Sequence, residues 1–126
     1  MSDIKEAEFW LEGARLLACS PEESREKFTV AAAMCVHAII KANDEICFKF
    51  LGERATRHDH APILFLKLIQ ANKIPAHMAN FRKDILEPAI RLKASVDYKS
   101  ASVSKTEAER WIRNAEKFIS EVCRII

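Results

Sequence analysis

The stretch Ala31-Ala32-Ala33-Met34-Cys35-Val36-His37-Ala38-Ile39-Ile40 is apolar on nearly every side when wound as a helix. A helix of that kind is surrounded by other helices, so the stretch predicts a spine packed among helical neighbours. Toward the N-terminus, Ser20 reads as a cap, Pro21 suits the first helical position, and Glu23 completes a capping box. Toward the C-terminus no breaker intervenes before Gly52, a residue that accepts the left-handed conformation in which helices stop. The signals predict a second helix of roughly 30 residues, from about Ser20 to Leu51.

The rest of the chain carries the same three- and four-residue period. A first helix is predicted from about Asp3 to Cys19, with a box-like Asp3–Glu6 start and Ile4, Ala7, Leu11, Ala14 and Ala18 on one face. A third helix, opened by Asp59 or His60 with Pro62 in its first turn, carries Ile63, Leu64, Leu66, Leu68 and Ile69. Residues 71–75 read as a turn. A fourth helix presents Phe81, Ile85, Ala89, Leu92 and Val96, and Pro88 inside that stripe should kink or divide it. After a polar loop over 99–103, the Ser104–Glu107 box opens a last helix bearing Trp111, Ala115, Phe118, Ile119, Val122 and Ile126. The expected architecture is a single all-α domain over 1–126, an up-and-down bundle of about five helices around a long central second one.

Composition excludes several alternatives. Two glycines in 126 residues, Gly13 and Gly52, are too few for a hairpin-rich β fold. A net charge of +2, from 20 basic and 18 acidic residues, is too balanced for a polybasic nucleic-acid coat, so any such role needs a local site. Cys19, Cys35, Cys47 and Cys123 form no Cys-x-x-Cys pair and read as reduced, mostly buried thiols. The start Met1-Ser2-Asp3-Ile4-Lys5-Glu6 is polar, and no apolar run approaches the ~18 residues that span a bilayer, so a cytoplasmic protein without a membrane segment is expected.

Chemistry concentrates in Glu53-Arg54-Ala55-Thr56-Arg57-His58-Asp59-His60. Arginine is a planar, permanently charged donor suited to phosphate, and histidine exchanges a proton near neutrality. The segment runs into a helix N-terminus, where the backbone dipole favours an anion. It is either a solvated connection or a phosphate-directed site. Upstream, His37, Lys41 and Asp44 share one helix face. They form either a solvated strip or a support in which Asp44 points at the following loop and orients its basic groups. His58 and His60 come without a third metal ligand, no helix-borne zinc or di-iron pair occurs, and His77 reads as solvated. No metal and no cofactor is expected.

Residues 36–46, a small-and-apolar run ending at Asp44, resemble the second helix of the HEPN superfamily. Gly52-Glu53-Arg54 followed by Asp59-His60 resembles that superfamily's signature of an arginine, four to six residues, then a histidine. Tyr98, Val103 to Glu109 and Ala115 to Ile119 are similar to the closing helix of its single-domain prokaryotic members. The resemblance spans about Phe28 to the C-terminus. It implies a homodimer with two facing signatures and a metal-independent ribonuclease, often of toxin–antitoxin systems, cleaving single-stranded RNA. Arg54 and His60 would be the active pair and Asp44 the supporting acid, with Arg57 and His58 as further RNA or phosphate contacts. Ala55 departs from the polar residue that often follows the arginine in catalytic members. The same resemblance admits a non-catalytic module that partners a small nucleotidyltransferase or binds nucleotide. A dimer is also expected because the apolar girdle of the second helix would leave surface to bury.

Overall fold

The computed structural model describes residues 3–126, so Met1 and Ser2 of the polar start lie outside the described residues. The chain folds as an all-α bundle: α1 (Asp3–Ala18), α2 (Glu26–Leu51), α3 (Ala61–Gln70), α4 (Glu87–Lys99) and α5 (Lys105–Ile125). No strand occurs among the described residues, and no described helix is long and apolar enough to cross a membrane. As expected, α2 is the longest helix and the spine, with α1, α3, α4 and α5 all packed against it. Ala31, Ala32, Cys35, Val36, Ala38, Ile39, Ala42 and Ile46 are essentially without solvent exposure. Gly13 lets α1 approach closely: a Cβ there would stand 2.6 Å from the Met34 methyl.

The start of α2 differs from the expectation. The helix begins at Glu26, and the Ser20-Pro21-Glu23 box does not form. Instead the Lys27 ammonium donates to the carbonyls of Ser20 at 2.9 Å and Glu22 at 2.6 Å, while the Ser24 amide donates to the Glu22 carboxylate at 3.0 Å. Those side chains take the polar groups that a first helical turn would have used, so the segment is a turn and α2 has 26 residues. Its other end follows the expectation: Gly52 adopts φ 71° and its N–H donates to the Phe48 carbonyl. The Ser104–Glu107 capping box forms in full at the start of α5.

Pro88 acts one turn before itself. Lacking an N–H and crowding the carbonyl four residues back, it is preceded by a π turn over Arg82–Leu86. The Glu87 N–H there donates to the Arg82 carbonyl, five residues back. The core continues through the rings of Phe65, Phe81 and Phe118, with centroids 5.7 and 6.1 Å apart across α3, the segment before the π turn, and α5. Of the thiols, Cys35 and Cys47 are buried, but Cys19 and Cys123 are exposed, so half rather than most lie inside; all four are free. Cys19 lies in the turn just past α1, and Cys123 is on the outward side of α5, places that local apolar neighbours do not reveal.

The girdle of α2 is covered by the chain's own helices and does not need a second copy to bury it. Its large exposed apolar residues, Val30 and Phe48, stand near its two ends. Exposed apolar surface gathers instead on α1, at Phe9, Trp10 and Leu16.

Candidate functional site

Gly52 turns the chain out of α2 and leaves Arg54 at the base of the loop, where one carboxylate meets it and a second lies within range of its charge. Arg54 Nε donates to Asp3 Oδ2 at 2.6 Å, and its guanidinium lies 3.9 Å from the centre of the Phe48 ring on the last turn of α2. Asp44, one turn before Phe48, is the other. Its carboxylate is buried, feels the charges of Arg54, Lys41 and Asp3, and receives the backbone N–H of Ala55; Oδ1 has no hydrogen-bond partner among the described residues. Burial dominates, and the pKa is pushed up to about 6. Asp44 thus addresses the backbone of the first loop residues and hydrogen-bonds none of the loop's basic side chains among the described residues.

The remaining loop residues are disposed differently. Arg57 forms a two-pronged contact with Asp59, Nε to Oδ1 at 3.1 Å and Nη2 to Oδ2 at 2.6 Å. His58 to His60 form a 3-10 turn that leads into α3, with the His60 amide donating to the Arg57 carbonyl at 3.0 Å. His60 occupies the cap position of α3 but makes no side-chain cap. Its ring is half-buried, and among the described residues it hydrogen-bonds neither Arg54 nor Asp44. His58 faces α4: burial first, and then the charge of Lys93, hold its pKa below the ordinary value. Within one chain the fold therefore ties Arg54 to Asp3 and brings Asp44 near enough to feel its charge, while Arg57, His58 and His60 are directed elsewhere.

Two residues matter that the sequence pattern did not single out. Asp3 reads as a helix start, yet it reaches across 51 positions to hold Arg54. Asn43, fully buried, donates from Nδ2 to the Ala61 carbonyl at 3.2 Å and so fastens α2 to the turn that presents His60. The signal available for Asn43 was its place on the same helix face as Ile39, Ile40, Ile46 and Cys47, three and four positions away; for Asp3 there was none. His37 and Lys41 leave the Asp44 group. His37 meets the Trp10 ring edge-on with centroids 4.4 Å apart, and Lys41 pairs with Glu6 at 3.2 Å. His77 is exposed as expected, though it contacts Glu121 at 2.9 Å.

Among the described residues no group of three or more His, Cys, Asp and Glu is arranged to hold a metal ion. Comparison with protein-family models, curated proteins and solved structures finds no match to this chain.

Proposed function

We propose that this chain is a HEPN-like, metal-independent endoribonuclease of single-stranded RNA that works as a homodimer. The observation that carries the reading is Asp44: a carboxylate buried at the base of an arginine–histidine loop, where its ionised form is disfavoured. A buried charge that costs stability, placed beside Arg54 and the Ala55 amide, fits a functional group better than a structural one. In the proposed step His60 takes the proton of a ribose 2′-hydroxyl, whose oxygen bonds to the adjacent phosphorus. Arg54 stabilises the charge developing on the phosphate, with Asp3 and the Phe48 ring fixing its direction and Asp44 holding the Ala55 amide beside it. The bond from phosphorus to the 5′-oxygen breaks, and the histidine of the second copy donates the proton that this oxygen needs. Products are a 2′,3′-cyclic phosphate and a 5′-hydroxyl.

The lack of a bond between His60 and Arg54 within one chain suits a site completed across a two-fold axis. Phe9 and Leu16, seven residues apart on one face of α1 and each about two-thirds exposed, offer apolar surface for such a contact. A second reading has its own support. Arg54 and Arg57 each already hold a carboxylate, so the loop is largely neutralised within the chain. A non-catalytic module that meets a small nucleotidyltransferase or a nucleotide through this loop fits that balance. Incubating the full chain with mixed-sequence single-stranded RNA in EDTA separates the two. Cleavage to cyclic-phosphate ends, lost in His60→Ala and retained at a raised KM in His58→Ala, supports the nuclease; intact RNA at every protein concentration selects the binding module.

A further inference from the structure

Past Arg54, the same loop forms one wall of a groove of about 540 Å³ whose other wall is α4. That volume lies in the range of small-ligand sites. Ile90 and Ala94 give it an apolar floor, Arg57 and His58 rise on the loop side, and Lys93 and Asp97 on the helix side. Tyr98 stands at the rim, 86% exposed, and so contributes little to packing within the chain. His37 on α2 is near enough to feel the charges of both Lys93 and His58. The loop and α4 thus bring basic groups to one place. The groove's two carboxylates are already matched, Asp59 by Arg57 at 2.6 Å and Asp97 by Lys93 at 3.1 Å. The Arg57–Asp59 pair is solvent-exposed and the Lys93–Asp97 pair partly so, and such pairs contribute little stability for a competing anion to overcome.

We infer that this groove is a ribonucleotide subsite, in which a base stacks on Tyr98 above Ile90 and Ala94 while Arg57, Lys93 and His58 receive its phosphate. The inference deepens the RNA reading above and rests on it for the strand that enters. The recognised chemistry is a base plus a phosphate, supplied either by a free nucleotide or by one residue of an RNA. Tyrosine suits this because every base has a face to stack, and stacking on an aromatic ring contributes roughly 5- to 150-fold in affinity per base. Arginine and lysine on opposite walls grip a phosphate without reading the base, so the subsite tolerates sequence.

Isothermal titration of the full chain with AMP, adenosine, inorganic phosphate and a short 2′-O-methyl oligoribonucleotide tests it, because the last presents bases and phosphates but no attacking hydroxyl. AMP is expected to bind more tightly than adenosine or phosphate alone. Tyr98→Ala is expected to weaken AMP and oligonucleotide about 5- to 150-fold. Lys93→Ala weakens both and flattens the salt dependence. Oligonucleotide tighter than AMP identifies a strand as the ligand, and equal affinities identify a free nucleotide; both support the subsite. No binding of either at millimolar concentration, or wild-type affinity in both variants with their helical circular dichroism intact, overturns it. A wild type that binds the 2′-O-methyl strand through Tyr98 yet cleaves no RNA ends the nuclease reading and leaves the subsite standing.

Discussion

Arg54 and Arg57 stand three residues apart in one loop, yet they are held in opposite ways. Arg54 reaches a carboxylate 51 positions away on α1 and rests on a ring of α2; Arg57 closes on Asp59, two residues along the same loop. The first contact ties the loop to two helices and fixes where its guanidinium points. The second ties the loop to itself and leaves its place on the bundle undetermined. A group that must stabilise a transition state needs a fixed direction, because preorganised donors act without reorganising during the reaction. A group that gathers a phosphate needs reach. On the proposed nuclease reading, the difference gives Arg54 the chemical role and Arg57 the binding one.

Cleavage kinetics provide the largest test of that division. Arg54→Ala is expected to lower kcat roughly 100- to 1,000-fold, and His60→Ala about 100- to 10,000-fold. Arg57→Ala is expected to raise KM and spare kcat, the mark of an interaction made equally in the ground and transition states. If Arg57→Ala abolishes kcat and Arg54→Ala does not, the assignment is reversed. If His58→Ala removes cleavage and His60→Ala spares it, the register of the arginine–histidine pair is displaced by two.

Beneath Arg54 lies the second test, Asp44. Its native pKa of about 6 stands above the ordinary 3.8, so between those values the folded chain holds a proton that the unfolded chain has released. The contribution to stability is full below about pH 4 and is lost as pH rises through about 6. Two units correspond to about 3 kcal/mol at most. Asp44→Asn should therefore match wild type near pH 4, exceed it by about 1–3 kcal/mol at pH 7 in urea titrations, and lose cleavage. A variant Asp44→Asn that is less stable at pH 7 would make the carboxylate a structural partner of Arg54 and remove its functional reading.

Helix starts show how far sequence alone reaches. Ser104 with Glu107 and Ser20 with Glu23 are the same pattern, yet the first forms its box and the second a turn. What separates them is Lys27, whose ammonium claims the carbonyls of Ser20 and Glu22 from seven and five residues away. Ser104→Ala is accordingly expected to lower stability by about 1 kcal/mol, and Ser20→Ala to stay within about 0.5 kcal/mol, by chemical denaturation. The spine, Gly52 and Ser104 were legible because their causes are local: period, left-handed freedom and a cap. In the site, Asp44 and Arg54 were legible as residue types at suggestive positions. Asp3 as the partner of Arg54, and Lys93 and Tyr98 as the far wall of a groove, were not, because only the packing of α1 and α4 against α2 brings them to the loop.

The smallest effect concerns the Asp3–Arg54 contact itself. Both partners reach solvent, Asp3 at 11% and Arg54 at 46% of their side chains, so the pair is partly screened and its loss is not expected to unfold the chain. Its expected consequence is local. In Asp3→Asn the acceptor oxygen remains but the charge is gone, and the amides from Gly52 to Arg57 should exchange with deuterium faster while those of α2 are unchanged. High salt should reproduce part of this in wild type, since it screens the half-exposed Arg54 guanidinium more than the buried Asp3 carboxylate. Asp59→Asn should leave the same amides as they were, because Arg57 and Asp59 bind the loop only to itself. Phe48→Leu isolates the remaining hold by removing the ring under the guanidinium. Should Phe48→Leu free the loop and Asp3→Asn not, the ring is the anchor, and the contrast between the two arginines rests on stacking and not on charge.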